Sequence, residues 1–265
     1  PYNGLSESYM ERIYLNSDGA NRYMKLNQTS IYLYAKSQED NKKPRSAGGI
    51  RVNTSLEQLD IESCIEETSN KLISHLNYKA IETKKYLICF SPEAFLQLIN
   101  AFSSMFNARS IIDGLSLMNE KSLGEQIAVR NLDISDEGLH PKNVGAFSFD
   151  GEGTPTQNIN LIKSGVLKNL LHSEATARKF GVRPTGHAGL GAKVSVSPDW
   201  LVVRKNYDEK DKDETLSIKN TLKEYILIDE LSALHSGVKA SQGSFSLPFD
   251  GWLVTDGIKT SIEAA

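Results

Sequence analysis

The apolar positions of this chain fall into short β-like runs separated by a few helical faces. Ile31-Tyr32-Leu33-Tyr34-Ala35 is the first β-prone run, and residues 37–49 (SQEDNKKPRSAGG) read as a polar loop or hairpin tip. A helix follows. Asp60 stands as its N-cap, and Ile61, Cys64, Ile65, Leu72, Ile73 and Leu76 share one face while Glu62, Glu66, Glu67 and Lys71 fall mostly off it. Lys84 and Lys85 lead into an apolar strand, Tyr86-Leu87-Ile88-Cys89-Phe90. Ser91-Pro92-Glu93 then reads as cap, proline at the first helical position and early acid. The helix it opens, over 92–107, carries Phe95, Leu96, Leu98, Ile99, Phe102, Met105 and Phe106. A break near residues 77–85 marks the expected domain boundary.

Downstream the pattern turns mainly to strands. Ala146–Phe149 is an expected strand, and Asp150–Pro155 (DGEGTP) a turn. Residues 156–162 and 166–171 flank Lys163-Ser164-Gly165 as a hairpin. Ser173 caps a short helix closed by Gly181. Further strands are expected at 194–196, 200–203, 225–228, 245–247 and 252–254, with 207–214 (YDEKDKDE) a solvated loop. Short strands beside three helices predict an α+β fold: an antiparallel-sheet-rich C-terminal domain with a few helices, preceded by part of a smaller α/β middle domain.

Composition narrows the partners. With 265 residues, one or two domains are expected at ~150 residues each. Lys+Arg is 30 against 33 Asp+Glu, a net charge of −3, so nothing pulls the chain broadly toward nucleic acid or anionic lipid. No apolar run is long enough to span a membrane. Two cysteines, Cys64 and Cys89, are too few for a disulfide framework, which fits a reducing cytoplasm. The chain opens on Pro1-Tyr2-Asn3 without Met and stops at Ala265 just after a strand-like run, so it is expected to be a piece of a longer polypeptide.

No complete catalytic set emerges from the residue types alone. The five histidines are His75, His140, His172, His187 and His235, and no two stand at i,i+4 spacing on one helix. His172-Ser173-Glu174 has the H-x-E of zinc deaminases, but no cysteine follows Cys89 to complete that site. Asp133, Asp136 and Glu137 precede the expected strand at 146–149, and Asp150 and Glu152 follow it. Acids so placed serve acid–base work, a hard cation or turn chemistry. Cys64 and Cys89 sit in apolar surroundings as core residues. Gly186–Gly191 (GHAGLG) reads as a mobile or close-packed loop, and His235 as a general base or a satisfied structural residue.

Several blocks, taken together and in order, resemble the TldD/PmbA (TldE) family. These are Phe149–Gln157 (FDGEGTPTQ), Leu161–Lys168 (LIKSGVLK), Thr176–Gly181 (TARKFG), Thr185–Ala188 (TGHA), Leu234–Val238 (LHSGV), Gly243–Ser246 (GSFS) and Gly251–Val254 (GWLV). Upstream, Asn16–Gly19 and Lys85–Ile88 also fit. The chain departs from the family's pattern within 186–190 and near Asp199-Trp200.

The resemblance implies residues 1–82 as the family's middle domain and 83–265 as its β-rich C-terminal domain, with an N-terminal α/β domain expected ahead of Pro1 and a few residues after Ala265. TldD-like members carry HExxxH on the helix after the strand at 86–90, and a cysteine further on completes a zinc site. At the corresponding positions this chain has Ile99, Asn100 and Ser104. Ile cannot ligate zinc, and Asn cannot act as a carboxylate base. The resemblance therefore implies the PmbA/TldE-like branch: a subunit with no metal and no catalytic residues of its own. Such a subunit pairs with a zinc-bearing TldD-like subunit, or forms a homodimer when isolated, and helps enclose unfolded peptide for proteolysis. The implied substrate-binding residues are Asp150, Glu152, Gly153, Thr154, His187 and His235. Two other readings stay open: a stand-alone metallopeptidase with unrecognised ligands, and a regulatory binding protein linked to DNA gyrase.

Overall fold

The structure, a computed structural model, describes residues 3–38, 40, 44–74, 76–191, 193–206 and 222–263. The loop expected at 207–214 and His75 lie outside the described residues.

The first sheet is a three-stranded antiparallel meander of β1 (Gly4–Leu15), β2 (Asn21–Ser37) and β3 (Arg45–Asn53). Asn16 ties the β1–β2 turn, its Oδ1 accepting from the Asp18 and Ala20 N–H groups. The short run expected at 31–35 is thus the end of a 17-residue strand. Residues 45–49, expected in a polar loop, are strand. Their small side chains have a packing cause: a Cβ on Gly49 would stand 2.3 Å from Thr68 Oγ1 of the overlying helix α1 (Ile61–Ser74). Asp60 caps α1 as expected, its Oδ1 accepting from Ser63 N at 3.0 Å. Ile31, Leu59 and Cys64 form the small core between sheet and helix.

The second sheet runs β13 (Ile258–Glu263), β12 (Phe249–Thr255), β9 (Glu224–Leu231) and β4 (Ile88–Phe90). Its pairs are antiparallel except β4 alongside β9. Its core joins Ile226, Ile228 and Ile262 to Ala94 of α2 (Pro92–Ala101). Ser91 caps α2 as expected, accepting from Ala94 N at 3.0 Å. The helix expected over 92–107 is broken. It stops at Ala101, passes through a 3-10 turn at 103–106 and resumes as α3 (Ala108–Ile112), which Asn107 caps.

The third sheet is antiparallel, in the order β7 (Val166–Leu167), β6 (Asn158–Lys163), β5 (Leu132–Glu137), β8 (Leu201–Lys205). Phe106, Ile134, Leu161, Leu167 and Leu171 fill its core. Ser173 and Gly181 (φ +67°) bound α4 (Glu174–Phe180) as read. The acids Asp133, Asp136 and Glu137 lie within β5 rather than ahead of a strand. Ala146–Phe149 is not a strand. Only Phe149 makes an isolated bridge, to Pro155, because this segment folds back on itself, Thr156 N donating to Ser148 O. The strand expected at 194–196 is likewise one bridge, Val196 to Ala188. A short helix α5 (Leu234–Gly237) leads into a two-stranded ribbon of β10 (Val238–Lys239) and β11 (Ser244–Phe245). Among the described residues no helix is long and apolar enough to cross a membrane.

The first sheet docks on the rest through its hairpin. Arg12 donates to Asp150 O and Arg22 to Gly153 O, while Tyr14 lies against Gly153. A second clamp sets Arg45 on Asp250 (3.2 Å) and its guanidinium 3.7 Å over the Tyr78 ring.

Candidate functional site

Four depressions adjoin one another through shared residues. The first, of about 400 Å³, lies between β3, α1 and β9 and includes Tyr32, Glu67, Lys71 and Glu230. It meets a cavity of about 460 Å³ bounded by Glu67, Lys71, Glu93, Gln97, Asp229 and Glu230. Glu93 and Gln97 of α2 are shared with a third, of about 380 Å³, which reaches Asn100, Asp199 and Trp200. Asp199 in turn borders the fourth, about 190 Å³, beside Asp150 and His187. The result is a trough beginning where the first sheet meets the rest and passing over α2.

Its acidic middle stretch alters the titration of Glu230. Desolvation pushes the Glu230 carboxyl above its ordinary value; Lys71 opposes this, and Asp250 and Asp229 reinforce it.

At the far end two loops, 147–156 and 185–190, are laced together. Asp150 Oδ1 accepts from Glu152 N and Thr154 N, and its Oδ2 from Ala188 N, each at 2.9 Å. Gly151 N donates to Ala188 O at 2.6 Å, and a Cβ on Gly151 would stand 2.4 Å from Gly189 O, so only glycine permits this approach. GHAGLG is accordingly a close-packed loop.

Beneath the loops Asp136 is wholly buried. Its two oxygens accept from Asp199 N (2.8 Å) and Trp200 N (2.7 Å). His187 Nε2 is 3.0 Å from Asp136 Oδ2 but off the axis of a hydrogen bond, and has no hydrogen-bond partner among the described residues. Its Nδ1 meets Thr185 Oγ1 at 3.0 Å. The Asp199 side chain opens to solvent at the mouth. Partial desolvation raises its carboxyl, His187 lowers it, and the Asp136 and Asp150 carboxylates raise it further.

The residues implied as substrate-binding divide into two groups. Asp150, Glu152, Gly153, Thr154 and His187 come together, with their polar atoms largely engaged in holding the loops. Glu152 Oε2, for example, accepts from Glu174 N at the start of α4. His235 is not brought to them: it is exposed on α5 and borders none of the four depressions. His172, of the H-x-E stretch, is buried with its ring edge-on to Phe180, and burial pushes its pKa down.

Zinc does not fit the residues present at the HExxxH positions. Ile99 packs on the third sheet's core, Asn100 faces the third depression, and Ser104 follows the break in the helix with its hydroxyl buried and unpartnered. Among the described residues no three His, Cys, Asp or Glu side chains are grouped to hold a metal ion. Arg12 is the site residue sequence reasoning missed. It sits in the first sheet, 138 positions from Asp150, and no local pattern links the two.

Comparison with known proteins agrees with this architecture. The chain is 30% identical over 144 residues to a metalloprotease of Synechocystis, covering 54% of this chain and 31% of that protein. It is 27% identical over 194 residues to the metalloprotease PmbA of Escherichia coli O157:H7, covering 72% and 39%. The chain thus spans between about a quarter and two-fifths of the length of these curated relatives. Among solved structures, a candidate modulator of a DNA gyrase from Thermotoga maritima superposes with a TM-score of 0.85 at 27% identity, covering 98% of this chain and 58% of that one. TldE from Thermococcus kodakarensis shares the fold at a TM-score of 0.76 and 19% identity, with the same coverage. The family model of the PmbA/TldA metallopeptidase central domain matches residues 2–76 and that of the C-terminal domain residues 83–263, and the chain belongs to this family.

Proposed function

We propose that this chain is the PmbA/TldE-like, metal-free subunit of a two-subunit cytoplasmic peptidase. A TldD-like partner supplies the zinc, and this chain helps enclose an unfolded peptide for cleavage there. On this reading residues 1–82 form the middle domain and 83–265 the C-terminal domain. The donor set carries the proposal: the positions that would hold zinc are Ile99, Asn100 and Ser104, and an Ile side chain committed to a core cannot be recruited as a ligand. The trough supports the enclosing role. Its walls offer side-chain and backbone polar groups to a peptide. Unpaired Cys64 and Cys89 are in keeping with a reducing compartment.

The test is to purify the protein with and without a TldD-like subunit and follow cleavage of an unstructured peptide. Chelator-sensitive cleavage that requires both subunits is expected. Robust chelator-sensitive cleavage by this subunit alone, or zinc retained stoichiometrically by it through dialysis, overturns the proposal.

A further inference from the structure

Glu93, Leu96, Gln97 and Asn100 stand at helical spacing on one face of α2, and that face lines two adjoining cavities of the trough. Around Leu96 the cavity of about 380 Å³ has mainly carbon walls, completed by Pro198, Trp200 and Leu201. It falls within the ~300–1,000 Å³ of ligand pockets. The far wall is held in place. Trp200 N donates to the buried Asp136 at 2.7 Å, Trp200 O accepts from Glu137 N at 2.8 Å, and the Trp200 ring stacks on His140 with centroids 5.7 Å apart. Leu96 is nevertheless 37% exposed, so apolar surface stands open to solvent on a firm frame.

The charge of the neighbouring cavity decides which apolar group belongs there. Glu93 and Gln97 also line the cavity of about 460 Å³, where Glu67, Glu93, Asp229 and Glu230 are grouped with a single cation, Lys71. Lys71 is already paired with Glu67 at 2.8 Å. The Glu93 and Glu230 carboxylates have no hydrogen bond or ion pair among the described residues. Desolvation pushes the Glu230 carboxyl up, a cost that an arriving cation relieves. Where the cavities join, Gln97 is pinned by its Oε1, which accepts from Leu231 N at 3.0 Å, so its NH2 group is left to donate elsewhere. The Asn100 amide makes no hydrogen bond among the described residues. Two such amides, one helical turn apart, match the carbonyls of an extended chain. A plain hydrocarbon would leave the acids unanswered, a plain amine would leave the carbon walls wet, and an acidic peptide would be repelled.

We propose that these joined cavities select the peptide, taking an extended segment in which a large apolar residue, Phe or Leu, adjoins Lys or Arg. The apolar side chain fills the space between Leu96 and Trp200, the cation enters beside Glu93 and Glu230, and the Gln97 and Asn100 amides donate to backbone carbonyls. This preference rests on reading the trough as a peptide path and adds which peptides enter it. It resides in this chain's own residues, so it is measured without a partner subunit and without cleavage.

Fluorescence anisotropy of labelled, end-blocked peptides on the intact protein tests it. The parents are Gly-Gly-Phe-Lys-Lys-Gly-Gly and its reversed order, each compared with versions in which Phe becomes Ala or both Lys become Glu. At least one parent is expected to bind and to shift the tryptophan emission, since Trp200 walls the cavity. Ala for Phe should weaken binding at least ~10-fold through lost apolar burial, and Glu for Lys at least ~10-fold through reversed charge. Leu96→Ala should remove most of the preference for Phe over Ala while sparing that for Lys over Glu. Glu93→Gln with Glu230→Gln should do the converse, and all three positions are exposed, so thermal midpoints should hold. The proposal is overturned if neither parent binds up to about 2 mM, if the Ala or the Glu version binds as well as its parent, or if the substitutions leave both preferences intact. Selective binding without two-subunit cleavage would count against the proposed function alone; two-subunit cleavage without selective binding would count against this preference alone.

Discussion

Asp136 shows how one side chain can fix a segment distant in the sequence. It lies on β5 in register with Leu132 and Ile134, pointing inward, and its carboxylate receives the backbone N–H groups of Asp199 and Trp200. Asp136→Asn places an NH2 group against one of those donors, and Asp136→Ala leaves both unpaired. Each should lower unfolding stability by about 2–4 kcal/mol, read as a fall in urea midpoint at unchanged slope; a loss under ~0.5 kcal/mol would remove Asp136 from this role. On the opposite face of β5, Glu137 bonds Arg204 and Ser135. The Arg204 hydrogen bonds, against a desolvation cost, lower its pKa from 4.5 to about 2. A depressed carboxyl contributes stability above its unfolded value and loses it as pH falls from about 4.5 toward 2. The Arg204 side chain is half exposed, so the pair is discounted to about 1 kcal/mol. Wild type should therefore exceed Arg204→Gln by about that much at pH 6–7, and the gap should close as pH falls through this window. A gap that persists at pH 2 would sink this account. The alternation Leu132-Asp133-Ile134-Ser135-Asp136-Glu137 already holds this two-faced arrangement, since period-two spacing puts Asp136 on the apolar face. What it cannot show is which backbone N–H groups, more than sixty residues on, come to meet the buried acid.

Elements were legible where local chemistry alone decides them. Asp60, Ser91 and Ser173 each cap the helix expected of them, because a cap needs only its own next turn. Strand β1 was not legible: Leu5, Tyr9, Met10, Ile13 and Leu15 stand exposed, so no buried face imprints an alternation on its sequence. Nor could Ala146–Phe149 be recognised as irregular, since its aromatic rings look like strand residues but serve to brace Arg12 from another sheet. The seam between these elements has a sharp test at Gly153. Its φ of +78° disfavours any side chain by about 1–2 kcal/mol. A Cβ there would also stand 2.3 Å from the Tyr14 ring, which must then move. Gly153→Ala is expected to loosen the β1–β2 hairpin from the 147–156 loop, with faster hydrogen exchange at β1 and β2 amides while β5 and β6 keep their protection. Unchanged exchange in the hairpin would show that this contact does not hold it.

At the scale of the whole molecule, three of the four depressions are walled in part by the first sheet or its helix, so the docking contacts bear on both stability and any ligand path. The first sheet has a small core of Ile31, Leu59 and Cys64 under a single helix, and three strands with one helix are marginal alone. Its support comes from Arg12 and Arg22 on the 150–153 carbonyls, from Arg45 on Asp250 and Tyr78, and from Lys79 N donating to Ser261 O at 2.9 Å. Arg12→Ala with Arg45→Gln removes three cation–aromatic contacts, one hydrogen bond and an ion pair at well-separated points. A combined loss of about 2–3 kcal/mol of coupling follows from the usual worth of such contacts. The two tryptophans, Trp200 and Trp252, both lie outside the first sheet, so fluorescence reports the second and third sheets while far-UV circular dichroism reports all three. In the parent protein the two signals should fall together through one denaturant transition, as expected of a tightly coupled fold. In the double variant the dichroism should begin to fall first, with fluorescence following at higher denaturant, because the undocked sheet unfolds without waiting for the rest. Coincident transitions in the double variant would mean that the first sheet is held by contacts other than these arginines, and the trough's walls would then have to be explained without them.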